Sequence, residues 1–124
     1  MKRVYVAGPI RASNAWEIEQ NIRRAEGWAL EIIKAGAAPH CPHTQDRHFI
    51  GVMPDEYFLK QDLAWLEVSD AIFMVSGWRR SEGSIGEYEF ALEHNIPVFE
   101  DFGLLCAWIQ VNNEQDQASV QQGV

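Results

Sequence analysis

Cysteine, long apolar runs and positive charge are all scarce in this chain. Two cysteines, Cys41 and Cys106, cannot make a disulfide framework, and they point to a reducing, cytoplasmic setting. No apolar run approaches the roughly 18 residues that a membrane span needs. The opening MKRVYVAGPI is broken by Gly8 and Pro9 too early for a secretory signal. Ten Lys and Arg face eighteen Asp and Glu, a net charge of −8, which argues against binding nucleic acid or an anionic membrane by broad attraction. A small anion held by a few local donors stays compatible with that charge. There is no GxGxxG, no Walker A lysine, no CxxC and no HExxH, so the common phosphate loops and zinc pairs are missing.

What is present belongs to a folded domain. Of the 124 residues, 47% are apolar and 23% charged, the balance of one soluble core rather than a disordered chain. The expected division is a single domain over residues 1–111 and a frayed tail over 112–124, rich in Gln and Asn and poor in apolar groups.

Val4 to Ala7 reads as a buried strand ended by Gly8-Pro9. Asn14 and Glu17 form a capping box for a long helix, in which Ile18, Ile22, Ala25, Ala29, Ile32 and Ile33 make one apolar stripe and Gly36 is the terminator. Ala37 to Cys41 is a weak second strand, and residues 43–55 read as irregular. A helix over Tyr57 to Val68 turns Leu59, Leu63 and Leu66 inward. Asp70 to Val75 is the clearest strand, followed by a loop over 76–83, a helix from about Ser84 to His94, a strand over Ile96 to Phe99 and a short helix over Leu104 to Val111.

Strict alternation of strands and helices predicts an α/β, flavodoxin- or Rossmann-like three-layer sandwich around a four- to five-stranded parallel sheet. Ligands bind such sheets beyond the carboxyl ends of the strands, where strand order reverses. If the first strand neighbours the third, the crevice lies between Gly8-Pro9-Ile10-Arg11 and the loop from Trp78 to Ser84. Gly8 permits close backbone approach, the amides near Ile10 and Arg11 can donate, and Arg11 suits phosphate or carboxylate. Ser81, Gly83 and Ser84 precede a helix start, a natural anion site.

Glu87 has two readings. Ser84-x-x-Glu87 fits a capping box, which would make it structural. Against that, Glu89 and Glu93 share a solvated face by their spacing while Glu87 points elsewhere, beside the anion loop. Asp62 is either a solvated helix residue or a second functional carboxylate. Tyr5 is an inward strand residue whose hydroxyl needs a partner. Trp78 either stacks on a base or packs its own loop. His40, Cys41, His43, Asp46 and His48 crowd one loop, better read as a polar surround of a ligand than as a metal site.

Three stretches carry a resemblance: Val4 to Arg11, Asp62 to Ala71, and Ser81 to Ala91. Across residues 3–99 the chain resembles the nucleoside 2-deoxyribosyltransferase superfamily. Within it the likeness is nearest to the 2′-deoxynucleoside 5′-phosphate N-hydrolase branch and to related phage-type domains. The resemblance implies Glu87 as nucleophile, Tyr5 as the residue that positions it, and Asp62 as the group assisting departure of the base. Ser81 falls where the transferases carry an acid for the sugar 5′-hydroxyl and the monophosphate hydrolases carry a phosphate-binding serine. With Gly83 and Arg11 it favours nucleoside monophosphates.

His43 matches a family histidine loosely, and Pro9 replaces a small polar residue. The implied chemistry needs no cofactor and no metal. The partners are a small nucleotide or nucleoside and a second copy of the chain, in a homodimer or higher oligomer. The rivals are base exchange by a transferase, a non-catalytic nucleotide-binding module, and cleavage of NAD-like dinucleotides.

Overall fold

The structure is a computed structural model that describes residues 1–122. Four strands, β1 (Arg3–Ala7), β2 (Ala38–His40), β3 (Ala71–Met74) and β4 (Val98–Phe99), form one sheet in the order β2-β1-β3-β4. Every pairing is parallel, with Tyr5 opposite His40 on one side and Ile72 on the other. The first strand thus neighbours the third, and the strand order reverses between β1 and β3. Among the described residues there is no fifth strand.

Side chains alternate across a strand, so β1 and β3 feed two cores. Val4, Val6, Ala71 and Phe73 face α1 (Ala15–Lys34) and α5 (Phe102–Gln122). Tyr5, Ala7, Ile72 and Met74 face the opposite way, toward α3 (Asp55–Glu67) and α4 (Glu82–Glu93). Within α1, Ile22, Ala25 and Ile32 are buried, whereas Ile33 at the stripe's edge is exposed. The helix begins as expected: the Asn14 side chain accepts from the Glu17 amide at 2.9 Å. It ends at Gly36, whose φ of +93° is a left-handed turn that a side chain would strain.

The structure corrects four local expectations. The segment after β2 is not wholly irregular, because Pro42 opens a one-turn helix, α2 (Pro42–Gln45). Leu59 does not join the inner stripe of α3; it is exposed while Leu66 is fully buried. Helix α4 starts earlier than Ser84. Its N-cap is Ser81, preceded by a short 3-10 turn over Trp78–Arg80.

The fourth correction concerns the last helix, which does not stop at Val111. Residues through Gln122 continue α5, and Gly123 and Val124 lie outside the described residues. Composition underweighted two things here. Gln is a good helix former, and polar side chains can tie the helix to itself and to the body. The Asn112 amide donates to the Trp108 carbonyl at 2.8 Å, and Asn113 donates to the Gly36 carbonyl at 3.3 Å.

Candidate active site

Three elements converge on a polar group in the core between the sheet, α3 and α4. β1 supplies Tyr5, α3 supplies Asp62 and α4 supplies Glu87, all within electrostatic reach of one another. Tyr5 is 0% exposed and Glu87 8% exposed. The early start of α4 removes Glu87 from the first turn, so the Ser84-x-x-Glu87 capping box does not form. Ser81 caps instead, accepting from the Ser84 amide at 3.2 Å. Glu87 is thereby a buried carboxyl in the second turn, whereas Glu89 and Glu93 are exposed.

Burial dominates the electrostatics. It lifts Glu87 from 4.5 to about 8; the Tyr5 hydroxyl opposes the rise and Asp62 adds to it. Burial also lifts Asp62, to about 7, with Asp46 adding to the rise. Tyr5 is pushed well above its ordinary value by burial and then by Glu87 and Asp62. The Tyr5 hydroxyl and one Asp62 oxygen are buried without a hydrogen-bond partner of good geometry, as is the Ser84 hydroxyl. Unpaired buried polar atoms cost free energy, and a cluster of them is where a ligand has something to satisfy.

Beside the acids lies the β1 loop. The ring of His43 is buried, and its Nε2 lies 3.0 Å from the Gly8 carbonyl and 3.1 Å from the Pro9 carbonyl. Carbonyls only accept, so Nε2 carries the hydrogen and Nδ1 is the free acceptor, buried without a partner. Burial lowers the His43 pKa, with the two carbonyls opposing. The Ile10 carbonyl accepts from Asn21 at 3.2 Å, tying the loop to α1. Gly8 has a reason unconnected with ligand approach: a Cβ there would sit 2.8 Å from Val75 Cβ.

Two residues expected in the crevice are otherwise engaged. Arg11 is 71% exposed and ion-paired with Asp55 at the start of α3. Trp78 is 6% exposed, donates to Glu100 at 2.9 Å, packs against Tyr88 and lies under the Arg79 guanidinium at 4.5 Å. Its indole is a packing element, not an open surface for a base. It also borders a shallow hollow of about 240 Å³ with Trp28, Phe73 and Phe102, which none of Tyr5, Asp62 and Glu87 lines. Gly83 stands beside Ser81 and Leu59 without a special conformation.

The crowded loop after β2 does not gather its side chains around one point. His40 stacks between Tyr5 and Trp65, and both oxygens of Asp46 accept from the Gln61 amide at 3.0 Å. Among the described residues, no three His, Cys, Asp or Glu side chains are grouped to hold a metal. Sequence reasoning passed over Gln61. Its position next to Asp62 was the one available signal.

A family profile described as a domain of unknown function (DUF7768) matches residues 2–101. The chain belongs to this family. No curated protein matches it. The DUF7768 domain shares its fold with a 2-deoxyribosyltransferase from the psychrotolerant bacterium Bacillus psychrosaccharolyticus. The TM-score is 0.56 at 18% identity, over 77% of this chain and 69% of that one. Among the described residues of the DUF7768 domain, no helix is long and apolar enough to cross a membrane.

Proposed function

We propose that this domain cleaves the base–sugar bond of (deoxy)nucleoside 5′-monophosphates through a glutamate nucleophile. The observation that carries the reading is a pair of carboxyls, the buried Glu87 and the half-buried Asp62, flanked by the Tyr5 hydroxyl. Two carboxyl groups are what a glycosidic cleavage with an oxocarbenium-like transition state requires. The deoxyribosyltransferase fold is consistent with it.

In the first step a Glu87 carboxylate oxygen attacks C1′, and the C1′–N bond breaks with its electrons passing to the base. Asp62 gives its proton to the departing nitrogen, leaving a glycosyl ester on Glu87 and a carboxylate on Asp62. In the second step Asp62 takes a proton from water, whose oxygen attacks C1′. The ester bond breaks, the sugar phosphate leaves and Glu87 is again a carboxylate. Tyr5 donates to Glu87 when it is ionised and holds its orientation. The phosphate meets Ser81 and the amides at the start of α4, where the helix dipole favours an anion. Arg11 reaches the phosphate by exchanging Asp55 for it. The Gly8–Ile10 loop, fixed by His43, forms the opposite wall.

Glu87→Gln is the deciding experiment. Free base released from a panel of nucleoside monophosphates is measured by chromatography. Loss of release by at least about 1,000-fold, with an unchanged circular dichroism spectrum, is expected; undiminished turnover rejects the assignment. The burial of Glu87 favours one second reading, base exchange, because an ester shielded from water persists until another base arrives. A new nucleotide formed on adding a different free base distinguishes it from hydrolysis.

A further inference from the structure

We propose that Ser84 binds the sugar of the substrate, its hydroxyl meeting the 3′-hydroxyl, one helical turn from the nucleophile. The inference rests on the glycosidase reading and adds to it a residue that selects the sugar.

Ser84 is 1% exposed, and its hydroxyl is buried without a hydrogen-bond partner. The partners that a serine near a helix start ordinarily finds are missing or engaged. Ser84 is the third residue of α4, so no full turn of helix lies before it to offer a carbonyl four residues back. The carbonyl three residues back, on Ser81, accepts from the Ile85 amide at 3.0 Å. The Ser81 amide, which the third residue of a capping box would accept, donates instead to the Trp78 carbonyl at 3.0 Å. A buried hydroxyl left unpaired costs free energy that an alanine in its place would not, and a ligand oxygen is what recovers it.

The place of Ser84 in the fold identifies the ligand. The buried residues of α4 are Ser84, Glu87 and Ala91, spaced three and four apart, so they form one stripe. Helix α4 follows β3 in a parallel sheet, so it runs back along the strand and its start lies beyond the strand's carboxyl end. Ser84 is therefore on the crevice side of Glu87. At about 1.5 Å of rise per residue, it stands midway between the Ser81 cap and Glu87 along the helix axis. In the glycosidase reading the phosphate meets Ser81 and the anomeric carbon meets Glu87, so the sugar passes Ser84. Glu87 is itself only 8% exposed, and the opening that admits a sugar to it exposes the same stripe one turn higher.

A furanose presents two edges. The ring oxygen is a poor partner, because a donor there draws electrons from an oxocarbenium-like centre. The other edge carries the 2′ and 3′ positions. The 2′ position adjoins C1′ and so falls to Glu87, whereas the 3′-hydroxyl lies on the phosphate side and donates and accepts as serine does.

The test pairs the variant with the missing group. Base release from 2′-deoxynucleoside monophosphates and from their 2′,3′-dideoxy counterparts is measured on wild type and on Ser84→Ala. Wild type should lose about three- to tenfold in kcat/KM on the dideoxy substrate. Ser84→Ala should lose as much on the deoxy substrate and should not distinguish the two, while melting no lower than wild type. Equal discrimination by both proteins, or none by wild type, overturns the proposal. A Ser84→Ala protein that melts lower or fails to fold reveals an internal partner for the hydroxyl and overturns it as well. If wild type releases no base, the glycosidase reading fails separately. Calorimetry with 2-deoxyribose 5-phosphate and 2,3-dideoxyribose 5-phosphate then decides on Ser84 alone: tighter binding of the first by wild type but not by Ser84→Ala upholds its role, and any other result removes it.

Discussion

The folded pKa of Glu87, about 8, lies above the ordinary 4.5, so between those values the native state holds a proton that the unfolded chain has lost. Stability therefore falls as pH climbs through that window and the native carboxyl is finally forced to ionise in the core. Glu87→Gln should melt at the same temperature as wild type near pH 4 and at a higher one near pH 9, by an amount on the order of a few kcal/mol at most. Thermal unfolding at the two pH values checks this; equal melting at pH 9 would mean that the carboxyl is not buried. Gly8 obeys a different constraint. Gly8→Ala forces a Cβ to within 2.8 Å of Val75 Cβ, and should destabilise by about 1–3 kcal/mol in urea titration.

At the scale of elements, the first turn of α4 joins folding to recognition. Ser81 is the N-cap of that helix and, in the proposed function, the residue that meets the phosphate. The two roles separate by substitution. Asp caps as well as Ser, so Ser81→Asp should keep the melting temperature while raising KM for monophosphates at least about tenfold more than for nucleosides, because its charge repels the phosphate. Ser81→Ala should lose about 1 kcal/mol of stability and weaken both substrates less selectively. Equal effects of Ser81→Asp on both substrate classes would remove Ser81 from phosphate recognition.

The elements were legible in the sequence where pattern was strong. The apolar run of β3 and the capped stripe of α1 followed from periodicity, and the parallel sheet from the alternation of strands and helices. Boundaries set by competing caps were not legible. Ser81 and Ser84 are both acceptable N-caps, and only tertiary packing of Ser84, 1% exposed, chooses between them. The same choice decides whether Glu87 caps a helix or enters the core. Trp78 was ambiguous for a related reason: nothing local shows that Glu100, 22 residues away, takes its indole hydrogen. Asp46 and Gln61 meet only because α2 and α3 fold together.

For the whole molecule, one run of exposed apolar side chains lies just before and at the start of α3. Phe49, Ile50, Val52 and Met53 precede α3, and Tyr57 and Leu59 lie on its first turns; all are exposed. Leu59 borders Gly83 and so the rim of the proposed phosphate site. A second copy of the chain is the proposed cover. Light scattering should give a dimer, and Val52→Asp with Leu59→Lys should give a monomer with markedly lower base release; an unaltered mass for the double variant would place the contact elsewhere. The opposite concern, uncontrolled association, is met by the margins of the sheet. β4 is two residues long, and β2 is three with Pro39 at its centre, which has no N–H to offer. A foreign strand arriving at either border finds almost no ladder to extend, so fibril growth by backbone pairing has nowhere to begin while the domain stays folded.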